Sequence, residues 1–207
     1  MKLRYLVAMS ALALAAGSAS ATTWMIGDND GYGIGIPDNA NHPFNGFTAN
    51  YDGRSAAEMA ATDGAQYTDT YSTTHPGYGP QPGTVATFTF TGLGNGWTQG
   101  SMWFDMADFQ ASTFGAVKVD FNGVVQNWAF NDGFPTTKVR FFNLDAATIT
   151  TINNTGALII TIDRAGSSDF YGFDYAQLST VAVPEPETYA LMALGLGVLA
   201  MVRRRKA

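Results

Sequence analysis

Val117-Lys118-Val119-Asp120-Phe121-Asn122-Gly123-Val124-Val125-Gln126-Asn127-Trp128 decides the fold. The alternating run Val117–Phe121 and the run Val124–Trp128 flank an Asn-Gly pair. A two-residue type I′ hairpin turn needs positive φ at both central positions, which Asn and Gly adopt at least cost. Outward from this hairpin the period of two continues. It runs through Val85–Thr91, Ser101–Met106, Ala116–Phe121, Lys138–Phe142 and Leu158–Ile162, each bounded by Gly, Asn or Asp. Further turns are expected at Asn95-Gly96, Asp132-Gly133 and Gly166-Ser167. Strands spaced about ten residues apart, with no helical period between them, predict a single antiparallel β-sandwich.

The stretch from Gly27 to Pro82 reads differently, being rich in Gly, Asp, Asn and Pro with little periodicity. It is expected to be mostly loop. One exception is Ser55-Ala56-Ala57-Glu58, a capping box over one or two helical turns. A second short helix is expected from Asp145, ahead of Ile149 and Ile152. A structureless loop of this length does not survive in a compact domain, so part of it must be pinned by packing, side-chain hydrogen bonds or an ion.

Both chain ends carry addressing signals. Lys2 and Arg4, the apolar run Leu6–Ala16 and the small residues Ala19-Ser20-Ala21 read as a signal peptide over residues 1–21. At the other end stands Val183-Pro184-Glu185-Pro186-Glu187, then an uncharged run over 188–202, then Arg203-Arg204-Arg205-Lys206. A 15-residue helix rises roughly 22 Å against about 30 Å of hydrocarbon, so it crosses only with its flanking arginines snorkelling. The basic cluster keeps that end cytoplasmic and places everything before Pro184 outside the inner membrane. This tail, residues 183–207, resembles the PEP-CTERM sorting signal of Gram-negative bacteria. The resemblance implies export, a transient hold in the inner membrane as a transmembrane helix, and recognition by an exosortase-type membrane protease. Delivery to the cell surface or an exopolysaccharide matrix follows. Proteins with this tail carry many unrelated bodies, so it gives destination rather than activity.

Between the signals lies a body of residues 22–182, enough for one domain with a real core. Its only basic residues are Arg54, Lys118, Lys138, Arg140 and Arg164, against fourteen Asp and Glu58, a balance near −10. Such a charge repels nucleic acid and anionic membrane and suits divalent cations. The chain has no cysteine, so disulfides, zinc thiolates and thiol nucleophiles are excluded.

Asp28-Asn29-Asp30-Gly31 presents alternating oxygen ligands, yet lacks the bidentate Glu of an EF-hand. The closing run from Gly156 to Leu178, with Asp174 in Asp169-Phe170-Tyr171-Gly172-Phe173-Asp174-Tyr175, resembles the last two strands of galactose-binding-like jelly rolls. In such folds a structural calcium often ties an early loop to the final strand. The resemblance then implies Asp28 or Asp30 on the loop side and Asp174 on the strand side. The alternative is that these aspartates cap turns through local backbone hydrogen bonds.

A second candidate is glycan contact. Tyr32, Tyr51, Tyr67, Tyr71 and Tyr78 all fall in the irregular third, where exposed rings could stack on sugar faces or, alternatively, pack the loops down. Trp97, Trp103 and Trp128 lie in or beside strands and are expected in the core. Catalytic motifs are missing: there is no Gly-x-Ser-x-Gly elbow or phosphate loop, and His42-Pro43 and His75-Pro76 lack metal-ligand spacing. Thr87, Thr89 and Thr91 with Thr148, Thr150 and Thr151 make two threonine rows at best, too few for an ice-binding array. The sequence therefore points to a non-enzymatic exported module that binds glycan or builds matrix. The alternative is a secreted glycan-active enzyme, a glycosidase or lyase.

Overall fold

Asn122 and Gly123 adopt φ of 49° and 84°, and their turn joins β4 (Lys118–Phe121) to β5 (Val124–Val125). The computed structural model describes residues 21–41, 51–70, 84–126, 131, 134–169 and 172–180. The expected strands are present as β2 (Val85–Phe90), β3 (Gly100–Ala107), β6 (Lys138–Asn143), β7 (Leu158–Asp163) and β8 (Gly172–Thr180). One strand, β1 (Thr23–Gly27), was not expected. Its alternation is only five residues long, and it becomes a strand by pairing with β8 across the whole chain length.

All neighbouring strands are antiparallel, in two four-stranded sheets ordered β1-β8-β3-β6 and β2-β7-β4-β5. The body is therefore a β-sandwich, and Thr23–Thr180 forms one compact unit. Alternation decides what each sheet buries. Ala86, Phe88 and Phe90 of β2 pair with Ile162, Ile160 and Leu158 of β7 and face Met102, Phe104, Met106, Ala176 and Leu178 of the other sheet. Phe173 sits at the centre of this core. Its ring centroid lies 5.5 Å from Phe88, 5.9 Å from Phe104 and 5.3 Å from Phe109. Each fully buried ring of this kind contributes about 1.5–3 kcal/mol.

The helices follow their caps. In α1 (Ala56–Ala60) the Ser55 hydroxyl accepts the Glu58 amide, while the Glu58 carboxylate accepts the Ser55 amide at 2.9 Å. Glu58 also accepts the Thr68 hydroxyl at 2.6 Å, which ties α1 to a 3₁₀ turn at Ala65–Tyr67. After the short α2 (Ala111–Phe114) comes α3 (Ala146–Thr155), capped at its start by Asp145 and ended by Gly156 in left-handed conformation. Thr148, Thr150 and Thr151 belong to α3, so they form no strand row; helical backbone bonding overrides their β preference. Trp97 is in the core, as expected, and its indole N–H donates to Leu93 O at 2.9 Å. Trp103 is not. It points outward from β3, half-buried, because Met102 and Phe104 on either side take the inner face. Trp128, the signal peptide, the sorting helix and the Asp132-Gly133 turn lie outside the described residues. Among the described residues no helix is long and apolar enough to cross a membrane.

Candidate metal centre and the outer face of the first sheet

The irregular N-terminal segment is pinned to the outside of the first sheet, and Asp174 does the pinning. One of its oxygens accepts the Tyr32 amide at 2.8 Å and the other faces the Gly31 amide at 3.3 Å. Gly31–Gly35 forms a tight turn with φ of 61° at Tyr32 and 69° at Gly33. Asp30 closes that turn by accepting the Gly33 amide at 2.6 Å. A second segment arrives from the other side, where the Asp69 amide donates to Phe173 O at 2.7 Å and Asp69 O accepts the Gly53 amide at 2.8 Å. Asp69 holds φ at 51°, a left-handed value that Asp tolerates better than most residues.

These contacts gather Asp28, Asp30, Asp69 and Asp174, each offering one carboxylate oxygen within 4.8 Å of the others. Two oxygens bound on opposite sides of a calcium ion at about 2.4 Å would stand about 4.8 Å apart, so the spacing fits one Ca²⁺. The donors are all hard oxygens, which suits calcium and not a thiophilic metal. Electrostatics also asks for a cation. Asp69 and Asp174 are 0 % exposed, and neither oxygen of Asp69 receives a hydrogen bond. Burial pushes the Asp69 carboxyl far up, and the charges of Glu58, Asp174 and Asp30 push it further. Burial also raises Asp174, against the pull of the Tyr32 and Gly31 amides. Without an ion, this pair is relieved only by sharing a proton. Asp28, more open, is raised by the same burial and by Asp30 and Glu58.

The structure brings together the three aspartates named from sequence and adds Asp69, which sequence reading missed. Asp69 sits in Thr68-Asp69-Thr70, a segment with no periodicity to mark it as a ligand. Also missed was Asp105, a lone charge in the apolar strand Met102-Trp103-Phe104-Asp105-Met106 and legible there as an oddity. The ladder between β3 and β8 slips at this point: Phe104 pairs with Ala176 but Met106 with Phe173, so Asp105 lies opposite both Asp174 and Tyr175. Such a bulge re-aims side chains.

The tyrosine expectation is corrected at Tyr32. Tyr32 is 1 % exposed, packed with Ile36 and Ala107 under the Gly31–Gly35 turn, and its ring offers no face to a sugar. Tyr51 is half-buried and its hydroxyl donates to Tyr32 O. Tyr67 packs against Phe88 with ring centroids 6.2 Å apart. Tyr71 and Tyr78 lie outside the described residues. The exposed aromatics stand elsewhere. Register places Met25, Gln177, Trp103 and Phe141 in one row across β1, β8, β3 and β6, all on the outer face. Met25 is 43 % and Phe141 50 % exposed, and Trp103 meets Phe141 edge-on at 5.0 Å. A neighbouring row, Thr23, Ser179, Ser101 and Asn143, is polar.

Residues 182–206 match the PEP-CTERM protein-sorting motif. The tail thus marks the chain as exported and transiently membrane-anchored before release to the cell surface or beyond it, and implies recognition by an exosortase. Pro184, Glu185, Pro186, Arg203, Arg204 and Arg205 all fall in this match and lie outside the described residues. No curated protein matches the sequence. Among solved structures, similarity is found to the CBM36-1 domain of a multidomain xylanase from the hindgut metagenome of Trinervitermes trinervoides. That match has 9 % identity, covers 53 % of this chain and 84 % of the other, and has a TM-score of 0.34. CBM35 from Cellvibrio japonicus Abf62 matches at 8 % identity over 76 % of this chain and 92 % of its own, with a TM-score of 0.37. The Podospora anserina GH26-CBM35 β-(1,4)-mannanase matches at 14 % over 81 % of this chain and 29 % of its own, with a TM-score of 0.36. At these scores the likeness transfers neither ligand nor activity.

Proposed function

We propose that the mature body is a non-enzymatic glycan-binding module, stabilised by calcium and delivered by its tail to the cell surface or surrounding matrix. One observation carries the reading: the row Met25, Gln177, Trp103 and Phe141 crosses the four strands of the first sheet on its outer face, with Met25 and Phe141 exposed. Three strand spacings of about 4.8 Å make a strip roughly 14 Å long, the scale of a short oligosaccharide. Aromatic faces cover the apolar side of a sugar ring, and the amide of Gln177 and the adjacent polar row can meet its hydroxyls. The carboxylates support binding over catalysis. A retaining glycosidase holds its pair about 5–5.5 Å apart across an open bond site, whereas Asp69 and Asp105 are buried and each is crowded against the buried Asp174. Glu58 is engaged by its cap and by Thr68.

The test is a glycan array on residues 22–182, followed by affinity measurements on the best ligand. Trp103→Ala and Phe141→Ala should each weaken binding about tenfold, equivalent to about 1.4 kcal/mol. Phe114→Ala, at an exposed ring elsewhere, should leave it unchanged. Undiminished binding by the Trp103, Phe141 double variant would remove this face from the account.

A further inference from the structure

Asp174 faces a second group of carboxylates, with Asp105 and Asp38, whose ligand oxygens again lie within 4.8 Å of one another. Asp105 is 0 % exposed and both its oxygens lack a hydrogen-bond partner. It is buried in the sheet with the carboxylates of Asp174 and Asp38 beside it. An ionised carboxylate in this position needs a counter-charge.

The loop bearing Asp38 is held in place independently. The Ala40 amide donates to the Thr137 hydroxyl at 3.1 Å, the Thr137 amide donates to Ala40 O at 2.8 Å, and the Val139 amide donates to Asn39 Oδ1 at 3.0 Å. These bonds fasten residues 39 and 40 to the start of β6, so Asp38 is delivered beside β3 rather than left to wander. The donors come from three separate places: a surface loop, the centre of β3 and the bulge of β8.

We propose that Asp38, Asp105 and Asp174 hold a second divalent cation, of the calcium class, that shares Asp174 with the first and latches the Pro37–Ala40 loop onto the sheet. Oxygen-only donors select a hard cation, and the exposure of Asp38 leaves the outer positions to water. The bulge supplies the reason for the arrangement, since it lets one aspartate of β8 serve both groups.

The experiment is native mass spectrometry of the full-length chain in detergent, titrated with calcium. Two ions per chain are expected. Asp38→Asn and Asp105→Asn should each leave one, Asp28→Asn should leave one, and Asp174→Asn should leave none. Asp38 is exposed, so its substitution tests the site without risk to the core. A single ion that persists in both the Asp38 and the Asp105 variants and vanishes with Asp28→Asn overturns the second site while leaving the first. A single ion with the reverse dependence upholds the second site and removes the first. A chain that binds no calcium overturns both.

Discussion

Asp105 on β3 lies opposite Asp174 on β8 where the ladder slips by one residue, so two buried carboxylates face one another in the middle of a sheet. Hydrogen bonding does not relieve this. Asp174 spends its acceptors on the Gly31 and Tyr32 amides, and Asp105 has none donated to it. Around them stand Asp28, Asp30, Asp38 and Asp69, and the nearby ion pair of Arg54 is spent on Asp52 at 2.8 Å. The cost of this acidic concentration makes the module's stability depend on what neutralises it.

Calcium should raise the melting temperature of residues 22–182. An ion that binds only the folded chain adds about 2.7 kcal/mol at a hundredfold excess over Kd, or roughly 5–10 °C for a domain of this size. Asp174→Ala should abolish the response and Asp145→Ala, at a helix cap that belongs to neither carboxylate group, should retain it. Identical melting curves in chelator and in millimolar calcium would remove the ion from the account.

Asp69→Asn separates charge from packing. Without calcium the variant should melt at or above the unsubstituted protein, because it removes a buried carboxylate with no donor, and it should respond less to calcium. A variant that melts lower in both conditions would make Asp69 a purely structural residue.

In chelator, stability should fall as pH rises from about 4 towards 7. Burial, then the charges of Asp174 and Asp38, raise Asp105 from 3.8 to about 7, and Asp69 and Asp174 are raised as well. The folded chain therefore keeps protons that the unfolded chain has released, and each step upward in pH favours the unfolded state. Calcium should flatten the profile. Thermal melts at several pH values, with and without the ion, give the comparison; a chelated profile that rises over this range would contradict the burial of these groups.

Gly31→Ala should be more damaging than Gly35→Ala, although both glycines hold φ above 70°. A Cβ on Gly31 would run into the Ile36 backbone, while one on Gly35 meets nothing within 4 Å. The first should loosen the turn that presents two amides to Asp174 and reduce calcium affinity. The second should cost only the left-handed conformation, about 1 kcal/mol. Equal melting temperatures and equal calcium affinities would show that the turn adapts.

Replacing Pro184-Glu185-Pro186 by alanines should hold the full-length protein in the membrane with its C-terminus intact, read by fractionation and immunoblot against a C-terminal tag. Normal release of the variant would remove the motif from processing.

Sequence alone determined what depends on neighbours along the chain. The tail is legible because a sorting signal must be read as a linear segment. The strands β2, β3, β4, β6 and β7, the Asn122-Gly123 turn, the Ser55–Glu58 box and the Asp145 cap are legible because period and local hydrogen bonding specify them. The loop aspartates Asp28 and Asp30 were visible as oxygen-rich spacing, and Asp174 through a resemblance. What only the tertiary structure decided depends on partners far apart in the chain. β1 exists by pairing with β8, Trp103 faces outward and Tyr32 inward, and Asp69 and Asp105 join the cluster because two loops and a bulge converge there. No local pattern carries these facts, since the free energy that fixes them comes from contacts between segments far apart in the chain, such as Tyr32 with Asp174.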